Sequence, residues 1–270
     1  MSVQIRQDGT LTYLTADTLS GTIHCFSTRR GGVSTGVLES LNLGIHRGDA
    51  PENVEKNYEI LGRAVGFTPA QTVFTRQVHT DHVLRVGRAD CGCGLLRPQT
   101  QDCDGLITNE PGVALCCFSA DCTPILLFDP VRRAVAAIHS GWRGTALGIA
   151  KTAVEAMTRE FGTNPADLHA AIGPCISRCC FETDRDVPDA MRAALGADAA
   201  DAITDHHTGK YHVDLKAINR RWLLRAGLLP ERIEVSGICT ACRPDLFWSH
   251  RKMGDQRGVQ VAVISLKEGL

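Results

Sequence analysis

The chain is 270 residues long, 43% hydrophobic and 22% charged, with a formal net charge of −1. That length and composition fit a soluble globular chain with a sizeable core, and near-neutral charge gives no electrostatic reason for a nucleic-acid or membrane partner. No apolar run approaches the length of a membrane span.

The opening residues, Met1-Ser2-Val3-Gln4-Ile5-Arg6, carry no signal-peptide core, which makes a cytoplasmic location the expectation. Strands are predicted at residues 11–14 and 22–27, followed by the polar loop Thr28-Arg29-Arg30-Gly31-Gly32 and by Asn42-Leu43-Gly44. Two glycines beside two arginines can shape an anion pocket, although a solvated turn is the simpler reading. Pro51 opens a helix that continues over residues 54–65. Residues 72–74 and 83–86 read as strands around Arg76-Gln77-Val78-His79, where β-branched neighbours favour extended chain and leave His79 acting apart from His82.

The segment 88–101, with Cys91-Gly92-Cys93, reads as a surface loop. Strands follow at 106–108, 113–118, 124–128 and 134–138, the last two flanking the turn Asp129-Pro130-Val131-Arg132-Arg133. If they pair as a hairpin, Cys122 and His139 fall at its open end. A helix is predicted over 144–161, with Ala146, Ile149, Ala153, Met157 and Phe161 at spacings of three and four. Then come a strand at 168–172, helices at 186–195 and 215–226, a polar surface excursion at 197–210, and strands at 233–236 and 259–265. Of the twelve cysteines, the adjacent pairs Cys116-Cys117 and Cys179-Cys180 read as small buried hydrophobes. Cys239-Thr240-Ala241-Cys242 has neither a thioredoxin-like context nor a second pair in the sequence, so no redox or zinc role is expected of it. No repeat or linker divides the chain, and a single domain over 1–270 is expected.

His79, Cys122 and His139 stand at predicted strand ends. One thiolate and two imidazoles suit zinc, and three protein ligands leave a fourth position open for water or substrate. The same residues allow a metal-free reading, with Cys122 as nucleophile and His139 as its general base. A buried cysteine beside a core histidine is the structural alternative. Spacing alone does not separate the three.

Eight motifs in order carry a resemblance. They are Asn42-Leu43-Gly44, Gln77-Val78-His79, Asp102-Cys103-Asp104-Gly105-Leu106-Ile107-Thr108 and Ala120-Asp121-Cys122-Thr123-Pro124, then His139-Ser140-Gly141-Trp142-Arg143-Gly144, Gly173-Pro174-Cys175-Ile176, Cys180-Phe181-Glu182, and Cys239-Thr240 with Phe247-Trp248-Ser249-His250-Arg251. Together they resemble the bacterial laccase-domain family, known variously as polyphenol oxidase, peptidoglycan editing factor and purine nucleoside phosphorylase. The resemblance implies an α/β fold, a single multilayer domain with mixed sheets similar to the cysteine-hydrolase domain of cytotoxic necrotizing factors. It places a zinc triad on His79, Cys122 and His139, of which Cys122 and His139 are, from the residues themselves, also the catalytic candidates. It also implies phosphorolysis of adenosine, inosine and methylthioadenosine and deamination of adenosine. Phe247-Trp248 stands where two phenylalanines are usual, and residues 254–258 also depart from the pattern.

For the phosphate, Arg29, Arg143 and Arg251 are the candidates, because a guanidinium binds phosphate as a fork; Asn42 is a further substrate-binding candidate. The alternatives are a Cys122/His139 hydrolase acting on a peptidoglycan precursor, or a copper-loaded polyphenol oxidase. Ten histidines with no His-x-His pair argue against a multicopper centre, although copper can occupy a three-ligand N/S site. The expected partners are small molecules, a purine nucleoside and phosphate, and the expected state is a monomer or weak homodimer.

Overall fold

The computed structural model describes residues 3–268. Its strands form two six-stranded sheets and one of three strands. The first sheet runs, in spatial order, Gln4–Asp8, Leu11–Thr15, Thr22–Ser27, Gln260–Leu266, Ala114–Ser119 and Thr72–Phe74. The second runs Ile233–Val235, His169–Ile172, Thr123–Asp129, Ala134–Ser140, Gly105–Thr108 and Val83–Arg85. Both are mixed: Thr72–Phe74 is parallel to Ala114–Ser119, and Ile233–Val235 to His169–Ile172, within otherwise largely antiparallel pairing.

The period-two alternation of side chains sorts these strands into layers. Cys117, Ala262, Leu126 and Ala137 point into one apolar cluster shared by the two large sheets. Their neighbours point the other way: Cys116, Val261 and Val263 pack with Val54, Tyr58 and Leu61 of the helix Pro51–Val65. On the far side, Ile125, Leu127, Ala136 and Ile138 pack with Ile149, Ala153 and Met157 of the helix Ile149–Phe161. The result is helix, sheet, sheet, helix. Central strands covered on both faces have no polar side to show, which is why they read as continuous apolar runs and not as alternation. Burial drives the Cys117 thiol up to about 12 and raises Cys116 as well, as suits inert core thiols.

The hairpin forms as expected, with Pro124 opposite His139 and Thr123 opposite Ser140. Three expectations need correction. The helix predicted over 144–161 is two helices, Trp142–Leu147 and Ile149–Phe161, broken at Gly148 with φ of 80°. Gly148 ends the first helix as a left-handed cap and lies against the Trp222 ring, where a Cβ would come within 3.3 Å. The excursion at 197–210 is partly structured: Ala199 and Ala202 are buried, and Ile203–Asp205 pairs with Tyr211–Val213 in the three-stranded sheet. Finally, His79 is not in extended chain; its φ is 64°. Among the described residues no helix is long and apolar enough to cross a membrane.

Candidate metal centre

His139 is the penultimate residue of Ala134–Ser140, an inner strand of the second sheet, and is 2% exposed. Cys122 immediately precedes the paired strand Thr123–Asp129, so the hairpin register sets thiol and imidazole side by side at one end of the sheet. His79 arrives separately, on the loop after Thr72–Phe74. The ligand atoms of His79, Cys122 and His139 all lie within 4.8 Å of one another. The two imidazoles meet edge to face, with ring centroids 4.9 Å apart.

Asp104 builds the loop that carries His79. Its buried carboxylate accepts the backbone N–H groups of Val78, His79 and Thr80 at 3.1, 3.1 and 2.9 Å, and the Thr80 hydroxyl at 3.1 Å. Three successive N–H groups turned onto one carboxylate account for the left-handed backbone at His79. The same carboxylate lies 2.8 Å from His139 Nδ1. A carboxylate at Nδ1 holds the proton there and leaves Nε2 facing the cluster. Burial would push the Asp104 carboxyl up, but the hydrogen bonds from His139, Thr80 and Val78 and the His139 charge outweigh it and hold it at about 2. Asp104 was legible only as part of the Asp102-Cys103-Asp104-Gly105 motif; nothing local in the sequence ties it to His139, 35 positions on.

Burial alone would raise the Cys122 thiol. The adjacent His139 charge and hydrogen bonds from His139 and His79 bring it down to about 6 instead. Burial alone would lower His139; the Cys122 thiolate and the Asp104 hydrogen bond raise it to about 9. Without a metal the pair is thus a thiolate beside an imidazolium. Gly141 belongs to the same site by absence of a side chain: a Cβ there would lie 2.8 Å from His79 Cδ2 and 3.2 Å from Cys122 Sγ.

The donors fit a metal ion. Tetrahedral zinc held at about 2.0–2.1 Å from nitrogen and about 2.3 Å from sulfur sets N–N and N–S neighbours about 3.3–3.6 Å apart, inside the 4.8 Å that bounds the three ligand atoms here. His79 is exposed and Cys122 half-buried, so the open side of such a site faces solvent. His79 and Cys122 line a cavity of 350 Å³ whose wall also includes Trp142, Phe181, Arg251 and Arg257. A larger cavity of 640 Å³, lined by Phe74, Phe118, Leu95 and Arg47, contains none of the triad. Reactive chemistry groups with the smaller one, because the Cys122 thiol with its lowered pKa lines it.

The other sequence candidates divide. Arg251 reaches the cavity wall, with its guanidinium donating to the carbonyls of Cys180 and Glu182 at 2.7 and 2.8 Å. Arg143 is exposed and stacks on Trp142, 4.2 Å from the ring centroid; it makes no hydrogen bond or ion pair among the described residues. Its suggested partner, Asp121, is engaged elsewhere, accepting from Thr240 Oγ1, Ser249 Oγ and the Arg251 N–H. Arg29 does not line the cavity: it donates to the carbonyls of Glu39 and Pro244 and stacks on Trp248 at 3.9 Å. Asn42 is fully buried, bonding Asp49, Gly44 and the Val259 N–H. Both are tied to the fold by those bonds.

Sequence reasoning passed over Arg257, a half-buried cavity-lining guanidinium whose Nε has no hydrogen-bond partner among the described residues. Burial and the nearby Arg47 charge lower its pKa. Also passed over was a partner for Cys239 and Cys242. Cys179 and Cys180 lie beside them, and the four sulfurs are within 4.8 Å of one another. The Cys-x-x-Cys therefore has a second pair after all, brought from about sixty positions away by the fold.

Comparison with known proteins finds a family model, relatives and solved structures that this chain resembles. A family model described as multi-copper polyphenol oxidoreductase laccase matches residues 23–267. A Bacillus subtilis (strain 168) chain named purine nucleoside phosphorylase YlmD is 39% identical over 245 residues, covering 90% of this chain and 88% of that one. A Bacteroides thetaiotaomicron chain named purine nucleoside phosphorylase is 36% identical over 250 residues, covering 92% and 93%. The crystal structure of the Bacillus licheniformis hypothetical protein YfiH superposes with a TM-score of 0.93 at 35% identity, covering 97% of this chain and 99% of that one.

Proposed function

The chain belongs to the family described as multi-copper polyphenol oxidoreductase laccase, and from that premise we propose that it is a zinc-dependent purine nucleoside phosphorylase. Its substrates in this reading are adenosine, inosine and methylthioadenosine, with deamination of adenosine as a second reaction. The carrying observation is the convergence of His79, Cys122 and His139 on one point, with His79 and Cys122 lining a cavity that also bears arginines and aromatic rings. The names of the relatives support the reaction class.

Phosphorolysis moves a ribosyl group from a base nitrogen to a phosphate oxygen and needs an anion site, an apolar platform and charge stabilisation. Trp142 and Phe181 supply rings against which a purine packs. Arg257, with an unpaired Nε, and Arg251 supply positive charge for phosphate. His79, Cys122 and His139 would hold zinc, which when bound supplies Lewis acidity to a water or substrate oxygen. Asp104 keeps the His139 proton on Nδ1, so that the other ring nitrogen is free to donate its lone pair.

A second reading rests on the metal-free pair. A thiol held at about 6 beside a histidine held at about 9 is a nucleophile with its base, as a cysteine hydrolase needs. The test uses purified enzyme, nucleoside and phosphate. Zinc phosphorolysis gives free base and ribose 1-phosphate, stops on chelation and is restored by zinc, and Cys122→Ser loses metal and turnover together. Turnover that survives complete chelation, with a thioester trapped on Cys122, would establish the hydrolase instead.

A further inference from the structure

We infer that Cys179, Cys180, Cys239 and Cys242 form a second, closed metal site that takes zinc through four thiolates. The site is independent of the triad and shares no ligand with it. Sγ–Sγ separations are 3.8 Å for Cys179–Cys180, 3.6 Å for Cys179–Cys242 and 3.4 Å for Cys180–Cys242. All four sulfurs lie within 4.8 Å of one another. Four thiolates at about 2.3 Å from a tetrahedral zinc stand about 3.8 Å apart. The fourth ligand, Cys239, is buried, and its sulfur accepts the Ser177 N–H at 3.3 Å, the kind of outer contact that orients a metal-bound ligand.

Charge gives a second, independent reason. Lys216 is 6% exposed, and its ammonium donates to Ser177 Oγ at 2.9 Å and to the Ile238 carbonyl at 2.7 Å. No carboxylate pairs with it among the described residues. A buried ammonium without a counter-charge is costly. Its two partners flank the cluster: Ser177 bonds the Cys239 sulfur, and Ile238 precedes Cys239 in the chain. Zinc with four thiolates carries a net charge of −2, which supplies the missing counter-charge.

The site's purpose follows from what its ligands border. Phe181 directly follows Cys180 and lines the catalytic cavity, and the Cys180 carbonyl accepts from Arg251. Thr240, between the other two ligands, donates to Asp121 beside Cys122. A zinc ion here staples the loop bearing Phe181 to the segment leading to Arg251, and so holds one wall of the cavity.

Zinc is counted in freshly purified full-length protein and in three variants. Cys179→Ser and Cys242→Ser are each expected to carry about one zinc fewer per chain, and to lose a thiolate-to-metal absorption band on cobalt substitution. Cys122→Ser is expected to keep that ion; should the triad reading fail, it shows as unchanged metal in Cys122→Ser, a separate readout. Should the serine variants misfold, iodoacetamide on the wild-type protein decides: Cys179 and Cys242, both exposed, are expected to react only after a strong chelator is added. Equal alkylation with and without chelator overturns the proposal. So does zinc content unchanged in Cys179→Ser and Cys242→Ser, or a disulfide among the four in the freshly purified protein.

Discussion

Asp104 meets three demands with one carboxylate: it shapes the His79 turn, fixes the His139 tautomer and, with its pKa held at about 2, is ionised at neutral pH. Asp104→Asn keeps the shape but offers an amide where His139 Nδ1 and three N–H groups need acceptors. Metal affinity should fall roughly 10- to 100-fold, as for other partners of ligating histidines, measured by competition with a chromogenic chelator. The Cys122 thiol gives a pH prediction. Its folded value lies below the ordinary one, so the thiolate persists as pH falls and is lost only below about 6. In metal-free protein the alkylation rate of Cys122 should therefore have its midpoint near 6, whereas a midpoint near the usual thiol value of about 8.5 would mean that His139 does not act on it. Gly141→Ala tests the crowding: its Cβ enters the space between His79 and Cys122, and the expected result is folded protein that no longer retains the triad metal.

At the scale of elements, the break at Gly148 joins packing to placement. It separates Trp142–Leu147, which follows the hairpin end, from Ile149–Phe161, which packs on the sheet. The short helix is then secured from the side: Trp222 Nε1 donates to the Thr145 carbonyl, and Ser140, Thr145 and Asn219 bond one another in the interior. Trp142, a cavity wall, is positioned by that arrangement. Gly148→Ala forces a side chain into a left-handed backbone and toward the Trp222 ring. A loss of about 1–2 kcal/mol is expected from the backbone alone, read as a lower denaturant midpoint with unchanged slope.

At the scale of the whole molecule, the cavity draws on segments far apart in sequence: His79, the Cys122 hairpin, Trp142, Phe181 and residues 250–257. Asp121 fastens the last of these to the Cys122 hairpin by accepting from Ser249, Thr240 and the Arg251 N–H. Arg257 shares the cavity wall with His79 and Cys122, and Arg47 also holds its segment by donating to the Arg257 and Asp255 carbonyls. If phosphate binds there, Arg257→Lys keeps the charge but loses the fork, and KM for phosphate should rise about tenfold with triad metal retained. Arg143→Lys, altering a guanidinium already stacked on Trp142, should change it much less. The reverse order would return the phosphate role to Arg143.

The sequence by itself determined the strands and helices that carry strong local patterns, and the hairpin whose register brings Cys122 beside His139. Apolar runs bounded by turns are local signals, and antiparallel pairing across a short turn follows from them. The ordered motifs likewise pointed to the family and to the three metal-ligand candidates. Tertiary structure alone decided how these residues are used. Arg29 and Asn42 sit in motifs that read as binding residues, yet long-range partners, Pro244 and Val259, tie them into the fold. Cys179 and Cys180 read as hydrophobes until the chain returned with Cys239 and Cys242. A side chain's type is written locally, but its partner is set by which strands and loops the packing of the layers brings together, and that information is spread over the whole chain.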